Sequence, residues 1–213
     1  MKNSVSKDII EKWLTAWCLS RELPLLVKYK SGFKVDVGFE KQKSRYVFPE
    51  INEDIIQLSK EITEPWIYLK FCGLPEKIQN KVPDRWKVQP QGFMMHCTTP
   101  MKILKTELNP AYKFEIENYN STAVIRILTQ NNELCAEGRV IIVEDIAVYD
   151  RIFTENKHKR KGLATFLMKE LESIALSKKI YTNFLVATSE GKLLYENLGW
   201  ELYSYYTSIV IEK

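Results

Sequence analysis

The order of apolar patterns in the second half of the chain limits its fold more than any other feature of the sequence. Four stretches with the composition and alternation of strands come first, at 114–119, 122–129, 139–143 and 146–154. They are followed by a helical pattern, a strand, a short helix and a last strand, at 162–177, 183–188, 191–197 and 203–211. This β-β-β-β-α-β-α-β order predicts an α+β fold around a mixed, mostly antiparallel sheet flanked by helices.

The first hundred residues predict an additional α/β region. Apolar residues at spacings of three and four predict a helix at 6–20, and Asn52 can cap a second helix at 52–63. The other predicted elements are three strands and a short helix, at 32–39, 45–48, 66–72 and 74–82. Proline and glycine interrupt any period after residue 90, so we predict two domains, at 1–105 and 106–213.

Charge and reactive side chains exclude several classes of protein. The chain has 31 Lys and Arg against 27 Asp and Glu, and this net charge of +4 is small for a duplex-binding domain. Two distant histidines and four cysteines without a C-x-x-C pair give no reason to expect a metal site. The N-terminus is too charged for a secretion signal, and no run is apolar enough for a membrane span. With its free thiols, the protein is expected in the cytoplasm, with no nucleic-acid or membrane partner.

A basic loop joins the strand at 146–154 to the helix at 162–177. Its four cations equal the net charge of the whole chain, and they are Lys157, Lys159, Arg160 and Lys161. A loop that enters a helix N-terminus offers unpaired backbone N–H groups and the positive end of the helix dipole. Gly162 carries no side chain where a phosphate would approach the backbone, so the loop suits a pyrophosphate. A solvated charge run with a helix-initiating glycine fits these residues equally well.

A second motif follows after the next strand, where 194–200 is LYENLGW. Together the two stretches resemble the GCN5-related N-acetyltransferase (GNAT) superfamily. The sequence KRKGLA at 159–164 matches its Arg/Gln-x-x-Gly-x-Gly/Ala signature, with Lys in the first position. Tyr195, Gly199 and Trp200 match its second signature, a Tyr four residues before a Gly that an aromatic residue follows. The resemblance covers about 113–213 and does not visibly include the first hundred residues.

The resemblance implies transfer of an acyl group, most often acetyl, from acetyl-CoA to an amine, without a metal. It assigns coenzyme A to the strand end, the loop and the helix start, at Ile152, Phe153, Thr154, Lys159, Arg160, Lys161, Gly162, Leu163, Ala164 and Thr165. Tyr195 is the candidate acid that protonates the leaving thiolate, and packing as a half-buried aromatic residue is its alternative role.

Asp150 is the candidate base, by its position and charge. Strand alternation would place it on one face with Ile152 and Thr154, along the expected path of the pantetheine arm. Its alternative role is an ion pair with a nearby arginine, and the candidates are Arg126, Arg139 and Arg151. Glu144 and Asp145 are weaker candidates for the base.

The chain also departs from the family pattern. Thr188 and Ser189 stand where family members often carry Asn, and the helical pair that usually follows the first strand is missing. The N-terminal region could supply that wall of the substrate pocket, or be a degenerate copy of the same fold. The competing functions are a catalytically inactive coenzyme A sensor or subunit, and a nucleic-acid binder that uses the loop as a phosphate patch. The acceptor is expected to be a small-molecule or peptide amine, and a homodimer stays open.

Overall fold

The computed structural model of the 213-residue chain describes residues 5–102 and 107–212. The α helices are α1 (Lys7–Leu19), α2 (Glu53–Glu61), α3 (Leu163–Ser177) and α4 (Ser189–Asn197). The strands of the first half are β1 (Val27–Tyr29), β2 (Gly32–Phe39), β3 (Gln42–Phe48), β4 (Ile67–Cys72), β5 (Trp86–Val88) and β6 (Gly92–Cys97). Those of the second half are β7 (Tyr112–Tyr119), β8 (Thr122–Thr129), β9 (Leu134–Val143), β10 (Ile146–Thr154), β11 (Thr182–Ala187) and β12 (Glu201–Ile211).

The described residues form two compact units, and the first contains the described parts of 1–94, 186–189 and 202–213. Its strands lie in the order β1-β2-β3-β4-β12, and β5 also pairs with β12. The pairs are antiparallel except β3–β4, whose parallel strands are joined through α2, the usual connection for parallel neighbours. Strand and helix side chains form one closed apolar core, from Phe48, Ile55, Leu58, Leu69, Phe71, Ile78, Trp86, Ile209 and Ile211.

The second unit contains the described parts of 95–185 and 190–201. Its strands include the run β7-β8-β9-β10-β11. The described pairs of this run are antiparallel except β10–β11, whose parallel strands are joined through α3. α3 packs on the sheet face that carries Phe114, whose ring centroid lies 5.5 Å from that of Phe166. A methyl group on Gly138 would lie 2.9 Å from a side-chain carbon of Leu167, so this glycine allows α3 to approach β9 closely.

The predicted α+β class is confirmed, with a mixed, mostly antiparallel arrangement of strands, flanking helices and an additional N-terminal α/β region. The helix starts follow the predicted signals, because the side chains of Ser6 and Asn52 accept backbone N–H bonds at the starts of α1 and α2. β2, β8 and β10 have the predicted bounds. No helix in the described part of the chain is long and apolar enough to cross a membrane.

Several elements of the first half were not predicted. β1, β5 and β6 are additional strands, and the short helix predicted at 74–82 is wrong, since only Pro75–Lys77 forms a 3-10 turn. β6 lies in the stretch without a clear period because Met94 and Met95 are both fully buried, which removes the alternation of a one-sided strand. The boundary predicted between residues 105 and 106 lies outside the described residues, so the two-domain division stays a prediction.

Glu172 is a buried carboxyl group on α3, with 6% of its surface exposed. Its Oε1 accepts a 2.7 Å hydrogen bond from the backbone N–H of Met101. Burial raises the pKa of Glu172 above its ordinary value of 4.5, and the hydrogen bond from Met101 partly opposes this. The folded state therefore binds the Glu172 proton more tightly than the unfolded state does. This contribution to stability is complete below the unfolded pKa and is lost as the pH rises through the folded pKa.

Replacing Glu172 with Gln should remove this pH dependence, because the amide oxygen still accepts from Met101 but carries no charge. The free energy of unfolding of Glu172→Gln, measured relative to that of the wild type, should increase as the pH rises from about 4 to about 8. Urea titrations across this range measure the difference, with Glu170→Gln on the same helix as the control. A Glu172→Gln difference that does not change with pH would contradict the assignment.

Candidate active site

The parallel strands β10 and β11 stop pairing before β10 ends. The ladder runs from Ile146 opposite Thr182 to Tyr149 opposite Leu185. β10 continues to Thr154, and its other edge stays paired with β9. From Ile152 to Thr154 the strand therefore has a neighbour on one side and, among the described pairings, none on the other. Backbone groups along this edge can bond a ligand that lies between the two strands.

A β-bulge reorients the side chains at this end of β10. The register shifts between Asp150 and Phe153, and Arg151 has a φ of 51°. Ile152 consequently faces α3, since a methyl group on Gly138 would lie 2.6 Å from its Cδ1. The expectation that Asp150, Ile152 and Thr154 share one face is wrong, because the bulge adds one residue to the alternation. Asp150 shares the opposite face with Phe153, whose side of the strand is partly exposed.

The start of α3 is an open helix N-terminus. Gly162 precedes it with a φ of 77°, a left-handed conformation that favours glycine, and no side chain caps the helix. Its first internal hydrogen bond runs from Phe166 N–H to Gly162 O, so the amides of residues 163–165 have no acceptor within the helix. A methyl group on Gly162 would meet no atom within 4 Å. The site thus has the space and the N–H donors that an anion requires.

Two of the four loop cations are engaged with acidic neighbours. Lys157 lies 3.0 Å from Glu133, and Lys159 lies 2.9 Å from Glu190. The hydrogen bond and charge of Lys159 lower the pKa of Glu190. The sequence suggested that all four cations of the loop could face a ligand, but acidic neighbours already compensate the charge of Lys157 and Lys159. In the described part of the chain, Arg160 and Lys161 make no ion pair.

His158 of the basic loop is buried and contacts β7. The side chain is 8% exposed, and its Nδ1 lies 3.1 Å from the hydroxyl of Tyr112. The two rings also meet edge to face, with 5.6 Å between their centroids. The bond and the ring contact hold the loop in place.

In the first unit, α2 joins a parallel pair of strands as α3 does in the second, but side chains occupy its N-terminus. The side chain of Asn52 accepts the backbone N–H groups of Asp54 and Ile55. Glu53 and Asp54 also place acidic groups in the first turn of this helix. A phosphate would meet both an occupied cap and like charge there, so the two helix starts differ in chemistry.

Tyr195 on α4 is buried, with 6% of its surface exposed. Its ring packs against Trp200 at 6.0 Å between centroids, and Trp200 packs against Tyr149 at 5.2 Å. Burial raises the pKa of the Tyr195 phenol well above its ordinary value, and the negative charge of Asp150 raises it further. The fold thus brings the predicted acid and the predicted base within electrostatic reach. The phenol keeps its proton at neutral pH, as a general acid must.

A buried hydrogen-bonded chain, missed by the sequence analysis, crosses the point where the strands separate. The Tyr149 hydroxyl donates to Asn183 Oδ1 at 3.0 Å, and Asn183 Nδ2 donates to the backbone oxygen of Cys97 at 3.1 Å. These bonds link β10, β11 and the end of β6 at the last rungs of the parallel ladder. The signal in the sequence was a polar residue inside an otherwise apolar strand, at Asn183.

Other candidates from the sequence lie away from this opening. Glu144 and Asp145 are exposed in the turn that precedes β10, at the opposite end of the strand from the basic loop. The cysteines are all buried and free, and they are Cys18, Cys72, Cys97 and Cys135. Burial raises the pKa of each thiol, so none is an activated nucleophile.

Comparisons with known proteins agree with this geometry. The family model of the acetyltransferase (GNAT) domain matches residues 121–202. A GCN5-related N-acetyltransferase from Kribbella flavida shares the fold with a TM-score of 0.64 and 12% identity, over 99% of this chain and 97% of that one. A protein described as an acetyltransferase of the GNAT family, from Novosphingobium aromaticivorans, has a TM-score of 0.60 and 13% identity, over 95% and 97%.

A tandem GNAT protein from the clavulanic acid biosynthesis pathway has a TM-score of 0.52 and 9% identity, over 74% of this chain and 68% of that one. No curated protein sequence matches the chain. At these identities the structural likeness concerns the fold, and the family model supplies the assignment of the domain. Residues 121–202 therefore match the GNAT acetyltransferase domain, and the whole chain shares its fold with solved structures of GNAT proteins.

Proposed function

We propose that the chain transfers an acetyl group from acetyl-CoA to a primary amine of a small molecule or peptide. The observation that carries this proposal is the opening between β10 and β11, which has an uncapped helix N-terminus at one end and the Tyr195 and Asp150 pair nearby. The four buried free thiols support a reducing compartment such as the cytoplasm.

The phosphates of coenzyme A would be held at the start of α3. The amides of residues 163–165 donate to the pyrophosphate oxygens, and the left-handed Gly162 leaves the space above them open. Arg160 and Lys161 add positive charge that is not engaged in an ion pair with the described residues. Lys157 and Lys159 contribute less, since acidic neighbours already compensate their charge.

The acyl-pantetheine arm would run along the edge of Ile152–Thr154, where backbone groups have no neighbouring strand among the described residues. A backbone N–H near this end of β10 can donate to the thioester oxygen as negative charge develops on it. Because the donor is fixed by the pairing of β10 with β9, it needs no rearrangement during the reaction.

Two side chains would manage the protons of the transfer. The amine nitrogen forms a bond to the acetyl carbon while the carbon–sulfur bond breaks. Asp150 accepts a proton from the attacking amine, directly or through water, and the Tyr195 phenol gives its proton to the departing sulfur. The raised pKa of Tyr195 supports this order, because burial and the charge of Asp150 keep the phenol protonated until the thiolate appears.

Replacing Arg160 and Lys161 together with alanine should weaken coenzyme A binding roughly tenfold or more, and flatten its dependence on salt. Calorimetric titration at low and high salt measures both effects. Lys157→Ala is the matched control, since it removes a cation of the same loop that already pairs with Glu133. Pantetheine, which lacks the phosphates, should bind the double variant normally. An equal loss for both ligands would mean that the loop acts through folding.

Tyr195→Phe should lower kcat by about 10²- to 10⁴-fold with a smaller change in the KM for acetyl-CoA. The aromatic ring keeps its packing against Trp200, and only the proton is lost. Steady-state kinetics over a panel of amines measures the effect, with Tyr181→Phe at an exposed tyrosine as the control. If Tyr195→Phe keeps the wild-type kcat, Tyr195 has a packing role and is not the general acid.

Asp150→Asn should slow turnover most at neutral pH, and the deficit should shrink as the pH approaches the pKa of the acceptor amine. Deprotonated amine then becomes abundant, and less help from a base is needed. Rate profiles against pH test this, with Asp145→Asn, an exposed residue of the adjoining turn, as the control. A deficit that is constant with pH would rule out Asp150 as the base.

A further inference from the structure

A cluster of positive and hydroxyl-bearing side chains lies on one sheet face of the first unit. Arg45 on β3 is opposite Tyr68 on β4, and Lys70 on β4 is opposite Ser208 on β12. Opposed residues of neighbouring strands share a face, as do residues two apart on one strand. Tyr206, two residues before Ser208, therefore belongs to the same face. We name this group the Lys70 cluster.

α1 covers the Lys70 cluster with two tryptophans. The guanidinium carbon of Arg45 lies 3.3 Å from the ring centroid of Trp17, and the Tyr206 ring meets Trp13 edge to face at 5.3 Å. Stacking on Trp17 fixes the plane of the guanidinium and leaves its N–H groups to point sideways. Arg45 and Tyr206 are 7% and 5% exposed, so any occupant of the cluster is small.

Lys70 has no negatively charged partner in the cluster. Its Nζ donates to Ser208 Oγ at 2.7 Å and lies 4.8 Å from the ring centroid of Tyr68 and 5.7 Å from that of Tyr206. Within the described residues, Lys70 makes no ion pair with a carboxylate. Burial lowers the pKa of Lys70 well below its ordinary value, and the positive charge of Arg45 lowers it further. No carboxylate among the described residues therefore offsets the cost of a charged Lys70 in this buried place.

Tyr206 supplies an independent observation. Its hydroxyl is buried, and it has no hydrogen-bond partner among the described residues. Burial raises the pKa of Tyr206 and the charge of Arg45 opposes this, so the hydroxyl is protonated and lies within the field of Arg45. A buried O–H donor without an acceptor is rare in folded proteins, and it indicates that a group is missing from its surroundings.

We propose that Arg45, Lys70 and Tyr206 form a binding site for a small carboxylate of about the size of acetate. The site offers the buried Nε of Arg45 and the Tyr206 O–H, neither of which has a hydrogen-bond partner among the described residues. The amino group of Lys70 and the hydroxyl of Ser208 can also donate. A carboxylate is acceptor-only, and its two oxygens can satisfy several of these donors at once. Its negative charge would stabilise the charged form of Lys70, which no carboxylate of the described residues pairs with.

The proposal predicts an unusual dependence of stability on the anion. Without a carboxylate, Lys70 is a buried amine beside a second cation, so exchange for an apolar residue of similar length is neutral or stabilising. With a carboxylate bound, Lys70 becomes a ligand contact and the same exchange removes it. Lys70→Met should thus be at least as stable as the wild type in chloride. In acetate it should be less stable than the wild type, because only the wild type gains from the bound carboxylate.

Thermal unfolding in sodium acetate and in sodium chloride of equal ionic strength and pH tests the site. The wild type should unfold roughly 3 °C higher in saturating acetate than in chloride. This excess, the unfolding temperature in acetate minus that in chloride, should disappear in Lys70→Met and fall by more than half in Tyr206→Phe. Lys28→Met, which changes a lysine of the same unit with a 75% exposed side chain, should keep all of it.

No excess in the wild type, or an excess that survives in Lys70→Met, would overturn the proposal. Survival in Lys70→Met would also show that acetate acts on another part of the protein, including the proposed acetyl site. If a variant does not fold, the wild type is still tested by itself. The NMR line of ¹³C-labelled acetate should broaden saturably on addition of the protein, and an unchanged line counts against the site.

Discussion

The parallel ladder of β10 and β11 ends after Tyr149, and the geometry of the candidate site follows from this termination. A continuous ladder would satisfy every backbone group of β10 and leave no space for a ligand. The hydrogen bond from Tyr149 to Asn183 ties the two strands at the last paired rungs, and the bulge at Arg151 turns β10 beyond them. The unpaired end of β10 is consequently followed, after a short basic loop, by the uncapped start of α3.

The two units use the same connection, a parallel pair of strands joined through a helix, with opposite chemistry at the helix start. In the first unit, Asn52 occupies the N-cap and acidic residues fill the first turn of α2. In the second, Gly162 leaves the N-terminus of α3 uncapped beside a basic loop. A cap that the protein supplies itself stabilises the helix, whereas an uncapped end keeps its N–H donors for a ligand. The same connection thus occurs in one chain with a capped and with an uncapped helix N-terminus.

Burial sets the protonation of the side chains that matter most. It keeps Tyr195 protonated where a general acid is proposed, and it raises the pKa of Glu172 on α3. It acts in the opposite direction on Lys70, where the charged form is the protonated one. In each case the low-dielectric surroundings disfavour charge, and neighbouring charges then add to the effect or oppose it. The same effect of burial therefore favours a proton donor at Tyr195 and makes a charged Lys70 costly.

The sequence by itself determined the elements that depend on local pattern. The bounds of β2, β8 and β10, the capped starts of α1 and α2, and the basic turn into α3 all follow from periodicity and from residues a few positions apart. The two GNAT signatures belong to this class, because each is a short run around a turn. The tertiary structure decided what depends on partners far along the chain. Ile152 faces α3 because of a bulge against β9, Lys159 is paired by Glu190 on another helix, and Lys70 and Tyr206 meet only across neighbouring strands. Strand register and long-range packing bring such residues together, and neither is written in the local spacing of side chains.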